Sequence, residues 1–284
     1  IASNLHALRS ISCRGRTDEI NDSTIELLIK GCPELRSINL SHNRLTSNAA
    51  KLLAAAFPRL ESLNLCNNPE PLKSSVLEVL GKNCPHLLKL HWGKNLITIE
   101  AIRALAKGCP QLREIYFDSN KDISKEQISE LVSGCHKLEK ISLEECPSID
   151  KTTLETIATS CPELRYLNLT GCYVYWDYKW RQPLEPIATL SKNLQTLYAT
   201  NNYLSDQLAF LFAENCTQLR EIYFAGKEML TKYGFAGLVA GCPELEIVKI
   251  KDEIINLHPF RKKVQEASHT VESIIAKWKD NTPL

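Results

Sequence analysis

Leucines recur along the chain at nearly constant spacing, and each opens a short string in which apolar and polar positions alternate. Counting from Leu8, the string reopens at Leu35, Leu60, Leu87, Leu112, Leu138, Leu164, Leu194, Leu219 and Leu245, at intervals of 25 to 30 residues. The fourth and sixth positions of a string are apolar, as in Ile38 with Leu40 and Leu167 with Leu169. Polar residues mostly stand between them, which is the period of a half-buried strand. Fourteen residues before most of these leucines stands a side chain suited to accept hydrogen bonds from the first turn of a helix. These are Asn21, Thr46, Thr98, Ser124, Asp150, Ser205 and Thr231, each preceded by an aliphatic residue. Gly-Cys-Pro at 31–33, 108–110 and 241–243 closes the helix so begun. The pattern predicts ten copies of a strand followed by a helix. Lys73 holds the cap place of one copy and fits it poorly.

Two stretches break the rhythm. The copy between Leu164 and Leu194 swells to 30 residues and carries Tyr173, Tyr175, Trp176, Tyr178 and Trp180 within eight positions. Its cap is missing, and Leu184 with Pro186 predicts a helix that starts late and is short. Insertions in repeat arrays map to loops on one side, often the binding rim, and mixed aromatic and basic residues are the composition of an interface anchor. The alternative is a loop packed on its own repeat. After Glu253 the strings stop. Phe260, Val264, Ala267, Val271, Ile274 and Trp278 then form one apolar stripe of a helix opened by Pro259. The expected organisation is a repeat array over 1–253 and an amphipathic helix over 254–284 that closes the end of the array, or alternatively binds a partner.

The strings, of which CPELRSINLSHN at 32–43 and CPELRYLNLTGC at 161–172 are the clearest, resemble the leucine-rich repeat family. They are most similar to its cysteine-containing subclass, found in the substrate-binding domains of F-box ubiquitin ligase receptors, and more distantly to ribonuclease inhibitor. The resemblance covers Leu5 to Glu253. It implies an α/β fold, a right-handed horseshoe solenoid with a parallel sheet on the concave side and helices on the convex side. It also implies a non-enzymatic module for protein recognition, as a substrate receptor or adaptor. The alternative is a stoichiometric inhibitor or regulator of an enzyme, a pathogen effector acting in a host cytoplasm included.

Composition narrows the classes further. Lys and Arg number 34 against 33 Asp and Glu, which gives no basic footprint for nucleic acid or for an acidic membrane. No apolar run approaches the roughly 18 residues of a membrane span. Eleven cysteines, an odd number spread along the chain, point to reduced thiols and an intracellular, cytoplasmic setting. Seven of them stand three residues before a repeat leucine and read as small buried apolar groups at helix ends, and Cys146 and Cys172 replace the Asn that ends the strand string. The residues from Ile1 onward show no charged n-region and small-residue cleavage pattern, so no signal peptide is read in them. The expected partner is another protein, with no nucleic acid, membrane, metal or cofactor, and the chain is expected to be monomeric apart from that partner.

If the fourth and sixth positions point inward, the third, fifth and seventh face out of the sheet. The candidate partner-binding residues on that face are Tyr116, Tyr166, Tyr198 and Tyr223, with His91, Glu114, Asp118 and Glu144, joined by the aromatic cluster at 173–180. Glu145 extends the acidic group, and Lys89, Lys94, Lys249 and Lys251 lie in other sectors. A Cys-His hydrolase is the enzymatic alternative, with Cys66 and His91 on neighbouring strands and Asp118 on the next. His42 beside them suggests a metal site only weakly, because no CxxC or HExxH spacing accompanies it. No catalytic residue is expected.

Overall fold

The computed structural model describes residues 5–15, 20–146, 149–172, 183–226, 230–250 and 253–257, and these divide into two compact units, Ile1–Ser148 and Ile149–Leu284. The first unit alternates β1 (Ser10–Ser12), α1 (Asp22–Gly31), β2 (Ser37–Asn39), α2 (Ser47–Ala56), β3 (Ser62–Asn64), α3 (Ser75–Asn83), β4 (Lys89–His91), α4 (Ile99–Gly108), β5 (Glu114–Tyr116), α5 (Lys125–Gly134) and β6 (Lys140–Ser142). The second holds α6 (Lys151–Ser160), β7 (Tyr166–Asn168), α7 (Glu185–Leu190), β8 (Thr196–Tyr203), α8 (Asp206–Asn215), β9 (Glu221–Gly226), α9 (Lys232–Gly241), β10 (Ile247–Ile250) and β11 (Glu253–Asn256). Within each unit the strands pair in sequence order and parallel, apart from β11, which runs antiparallel to β10. The expected α/β architecture is present in both.

Register follows the leucine spacing. Ile38 pairs with Leu63, Leu63 with Leu90 and Leu90 with Ile115, so equal positions of successive strings stand side by side. From Leu35 to Leu245 every repeat leucine is buried. A three-residue strand cannot bury its apolar face alone, and each repeat gains its core from its neighbours.

Local chemistry sets the helix ends. Thr46, Thr98, Ser124, Asp150 and Ser205 accept from the third backbone N–H of their helices, and Asn21 with Thr24, like Ser124 with Gln127, forms a reciprocal capping box. The Lys73 place behaves differently. The helix starts at Ser75, Ser74 is helical and its side chain makes no cap bond, while the Lys73 N–H donates to Ser47 Oγ of the preceding repeat at 2.9 Å. The swollen repeat does carry a late, six-residue helix with Pro186 in its first turn.

The cysteines at helix ends are buried, and several donate from sulfur to the repeat before. Cys109 Sγ lies 3.3 Å from the Cys84 carbonyl oxygen, and Cys216 Sγ lies 3.4 Å from that of Ser191. Burial pushes the Cys84 thiol up to about 11 and those of Cys109, Cys135 and Cys216 up to about 12, so they remain protonated. Among the described residues no two cysteines are joined by a disulfide.

Asparagines at the end of the strand strings tie the loops together. Asn43 Nδ2 donates to the Cys13 carbonyl at 2.8 Å, Asn95 Nδ2 to that of Leu65 at 3.1 Å and Asn120 Nδ2 to that of Trp92 at 3.3 Å. Cys146 takes this place in its repeat and donates to the Phe117 carbonyl at 3.3 Å. The antiparallel strand Glu253–Asn256 is an element the sequence pattern does not show, and it begins where the repeat strings stop. The expected helical stripe from Phe260 to Trp278 lies outside the described residues, as does the aromatic cluster at Tyr173, Tyr175, Trp176, Tyr178 and Trp180.

Candidate recognition surface

Because equal positions stack in register, the outward residues of the sheet form rows that run from strand to strand. In the first unit the third-position row reads Ser10, Ser37, Ser62, Lys89, Glu114 and Lys140. Glu114 sits between two ammonium groups, with Lys89 Nζ at 2.7 Å and Lys140 Nζ at 3.1 Å. Partial burial works to raise the Glu114 carboxyl, but hydrogen bonds and charge from the two lysines outweigh it and hold the group below its ordinary value. Tyr116 donates from its hydroxyl to Glu114 Oε2 at 3.1 Å.

In the fifth-position row His91 stacks flat on Tyr116, with ring centres 4.0 Å apart and planes 4° from parallel. Lys89 Nζ lies 5.3 Å from the centre of the Tyr116 ring. Burial and the neighbouring Lys89 push the His91 imidazole down to about 4, so it is neutral near pH 7. In the next row Asp118 accepts from the Ser142 hydroxyl and from the Glu144 N–H, the latter at 3.3 Å. Burial, with Glu144 and Glu145 nearby, nevertheless raises its carboxyl above the ordinary value.

The second unit carries an aromatic cluster, Tyr198 and Tyr223 in the fifth-position row with Tyr166 joining from the third. Tyr198 and Tyr223 stack with centres 4.1 Å apart and planes 12° from parallel, and Tyr166 leans on Tyr198 at 5.7 Å. All three are half-buried. Tyr223 donates to Glu221 Oε2 at 3.1 Å, and burial together with Tyr198 and Glu221 raises its phenol, so the hydroxyl is a firm donor.

The four described tyrosines, His91, Glu114, Asp118 and Glu144 therefore lie on the outward face as expected, within their separate units. The Cys-His arrangement lacks the contact that nucleophilic catalysis needs. Cys66 Sγ accepts from Asn67 Nδ2 at 3.4 Å, and His91 is engaged by Tyr116; the two do not bond to each other. Burial raises the Cys66 thiol and lowers the His91 imidazole, so both members are neutral where a thiolate–imidazolium pair is charged. Among the described residues no three His, Cys, Asp or Glu side chains are gathered as a metal site requires.

One set of surface residues has no counterpart in the alternating pattern. At the position after the seventh, His42, Asn67, Lys94, Ser119 and Glu145 all have φ between 57° and 61°. Gly15 and Gly171 hold the same place in their own repeats with φ of 72°. The left-handed turn breaks the two-residue period and brings these side chains to the rim of the outward face. The recurrence of glycine in that column is the sequence signal for it.

No protein-family model matches the chain, and neither does the sequence of any curated protein. Solved structures do match. The leucine-rich repeat-containing protein LegL7 from Legionella pneumophila is 16% identical, with a TM-score of 0.54 over 96% of this chain and 90% of LegL7. The chain has the leucine-rich repeat fold. Rad7, in its complex with Elc1 from yeast, is 17% identical, with a TM-score of 0.57 over 86% of this chain and 69% of that one. TLR13, in its complex with ssRNA13, is 23% identical at a TM-score of 0.53, but this leucine-rich repeat chain spans only 29% of its length. Among the described residues no helix is long and apolar enough to cross a membrane.

Proposed function

We propose that the chain is a non-enzymatic recognition module that binds another protein through the outward face of its sheet and the aromatic segment at 173–180. The observation that carries this reading is the cluster Tyr166, Tyr198 and Tyr223. Three half-buried tyrosines lie in contact on a face whose neighbouring positions are polar. Tyrosine and tryptophan dominate binding energy at interfaces because they desolvate a large area with few rotatable bonds. The carboxylates Asp118, Glu144 and Glu145, crowded at the ends of β5 and β6, disfavour phosphate there and so support a protein partner over nucleic acid.

Two roles fit such a face. As a substrate receptor or adaptor in the ubiquitin pathway, the chain would follow its resemblance to the cysteine-containing subclass. Rad7, one of its structural neighbours, was solved in complex with Elc1. As a stoichiometric inhibitor, an effector included, it would cover the working surface of an enzyme. In either role the repeat array ends at β10, β11 adds one antiparallel strand to it, and the apolar stripe from Phe260 to Trp278 would close it as a helix, in a cytoplasmic protein that is monomeric without its partner. Affinity capture with the intact chain and with a version lacking 173–180 tests the reading. A partner held by the first and lost from the second supports it. An equal yield of every captured protein removes the segment from the interface.

A further inference from the structure

Charges on the sheet face of the first unit are mostly neutralised by a neighbouring strand, as in the Lys89–Glu114–Lys140 group and the Arg36–Glu61 pair at 2.9 Å. A groove at the strand ends of the same unit departs from this. It encloses about 420 Å³ and is lined by Arg14 and His42 after β1 and β2, by Asp118, Glu144 and Glu145 after β5 and β6, and between them by Lys94 after β4. Arg14, Lys94, Asp118 and Glu145 take part in no ion pair among the described residues. Arg14 instead approaches His42 Nε2 at 3.4 Å, and Glu145 accepts only from the Ser119 hydroxyl at 2.8 Å.

The separation is built into the register. Arg14 follows β1, whereas Asp118 follows β5, four strands away. At about 4.8 Å per strand the two backbone positions lie roughly 19 Å apart along the sheet. That distance exceeds the reach of a small zwitterion and matches about six residues of extended chain at about 3.3 Å each. The neutral, stacked His91 and Tyr116 form a flat wall beside the groove. Side chains on the rim are projected from left-handed backbone at His42, Asn67, Lys94, Ser119 and Glu145. Glycine occupies that conformation without strain, and each non-glycine residue there costs about 1 kcal/mol. Burial and the crowding of carboxylates raise the Asp118 carboxyl, a disadvantage that an incoming cation relieves.

We propose that this groove binds an extended segment of a partner protein, with a lysine or arginine entering between Asp118, Glu144 and Glu145 and an Asp or Glu about six residues away reaching Arg14 and His42. The proposal rests on the protein-recognition reading above and adds to it the charge pattern of the partner.

Selection from a random twelve-residue peptide library displayed on phage tests it, using the whole chain, the Asp118→Asn/Glu145→Gln variant, Arg14→Glu and Tyr198→Ala. Each variant is first checked for an unchanged circular dichroism spectrum and melting profile. Peptides selected by the unsubstituted chain are expected to carry a basic residue five to seven positions from an acidic one. Their affinity at 50 mM salt should fall at least tenfold in Asp118→Asn/Glu145→Gln, and Arg14→Glu should abolish the preference for the acidic residue. Peptides without the spaced pair, affinities unchanged in both charge variants, or no selected peptide at all overturn the proposal. Peptides that lose affinity only in Tyr198→Ala overturn it while leaving the recognition reading intact. Loss of a captured native partner in neither Tyr198→Ala nor the charge variants would sink that reading separately.

Discussion

Replacing Gly108 by alanine is a strict test of how the repeats stack. A Cβ built at Gly108, the last residue of α4, would lie 1.6 Å from the Gly81 carbonyl oxygen of α3, 2.3 Å from its carbonyl carbon and 2.7 Å from its Cα. Cβ contacts below 3.0 Å do not occur, and the obstacle is backbone, so α3 and α4 must part locally by about 1.4 Å. The side chains they share, Val76, Leu77 and Leu80 on one helix and Ile102 and Leu105 on the other, are fully buried and have no room to follow. A radial gap of 0.5 to 1 Å already forfeits a quarter to a half of each dispersion contact, and overpacking of this kind costs about 1–3 kcal/mol. The better helix propensity of alanine returns less than about 1 kcal/mol at a terminal position. The net expectation is a loss of about 2 kcal/mol, read as a urea midpoint lowered by about 0.7–1 M for a slope of 2–3 kcal/mol/M. Gly15→Ala is the control. Its Cβ meets nothing within 4 Å, and φ of 72° alone should cost about 1 kcal/mol. A Gly108→Ala protein as stable as the parent, or more stable, would refute the close α3–α4 contact and with it the reasoning.

Other outcomes follow from the electrostatics. His91 is neutral when folded, pushed down to about 4, and its ordinary value is 6.5, so between those values the unfolded chain binds the extra proton and stability falls as pH falls. After solvent screening the loss is on the order of 1–2 kcal/mol, and His91→Gln should flatten this limb of a stability profile measured from pH 7 to pH 4. Cys66, with its thiol raised, should react with iodoacetamide more slowly than free cysteine at pH 7; fast labelling that persists at pH 5 would reinstate the Cys-His nucleophile. Thr231→Ala removes a hydroxyl that accepts from the Tyr233 N–H at 3.2 Å and donates to Asp206 Oδ2 at 2.6 Å, and should lower the thermal midpoint by an amount equivalent to about 1 kcal/mol.

The repeat was legible because its signals are local and redundant. A leucine such as Leu112, a cap such as Thr98 and a stop such as Gly108-Cys109 each mark one end of an element, and the structure uses all three. Where the local signal is weak, as at Lys73, the helix shifts by a residue and the loop is tied down by Ser47 of another repeat, an interaction that no short window contains. Strand Glu253–Asn256 depends in the same way on β10 for its hydrogen bonds. Of the candidate site, alternation showed which side of the sheet each residue occupies. Its neighbours depend on register, and register emerged only when the strands were paired. The Lys89–Glu114–Lys140 group, the His91–Tyr116 stack and the Tyr198–Tyr223 stack are all products of that pairing. The groove was hidden for a different reason, since left-handed residues such as His42 and Glu145 leave the two-residue period on which the reading of faces depends.

The central claim is that the outward face, and the tyrosine row above all, is where a partner is bound. It is tested most directly by titrating the partner captured with the intact chain, once purified, against the parent protein and against Tyr198→Ala/Tyr223→Ala in a calorimeter. Truncating an interface anchor typically costs about 2 kcal/mol or more, so the account predicts an affinity at least thirtyfold weaker with an unchanged thermal midpoint. An affinity equal to that of the parent protein would contradict it.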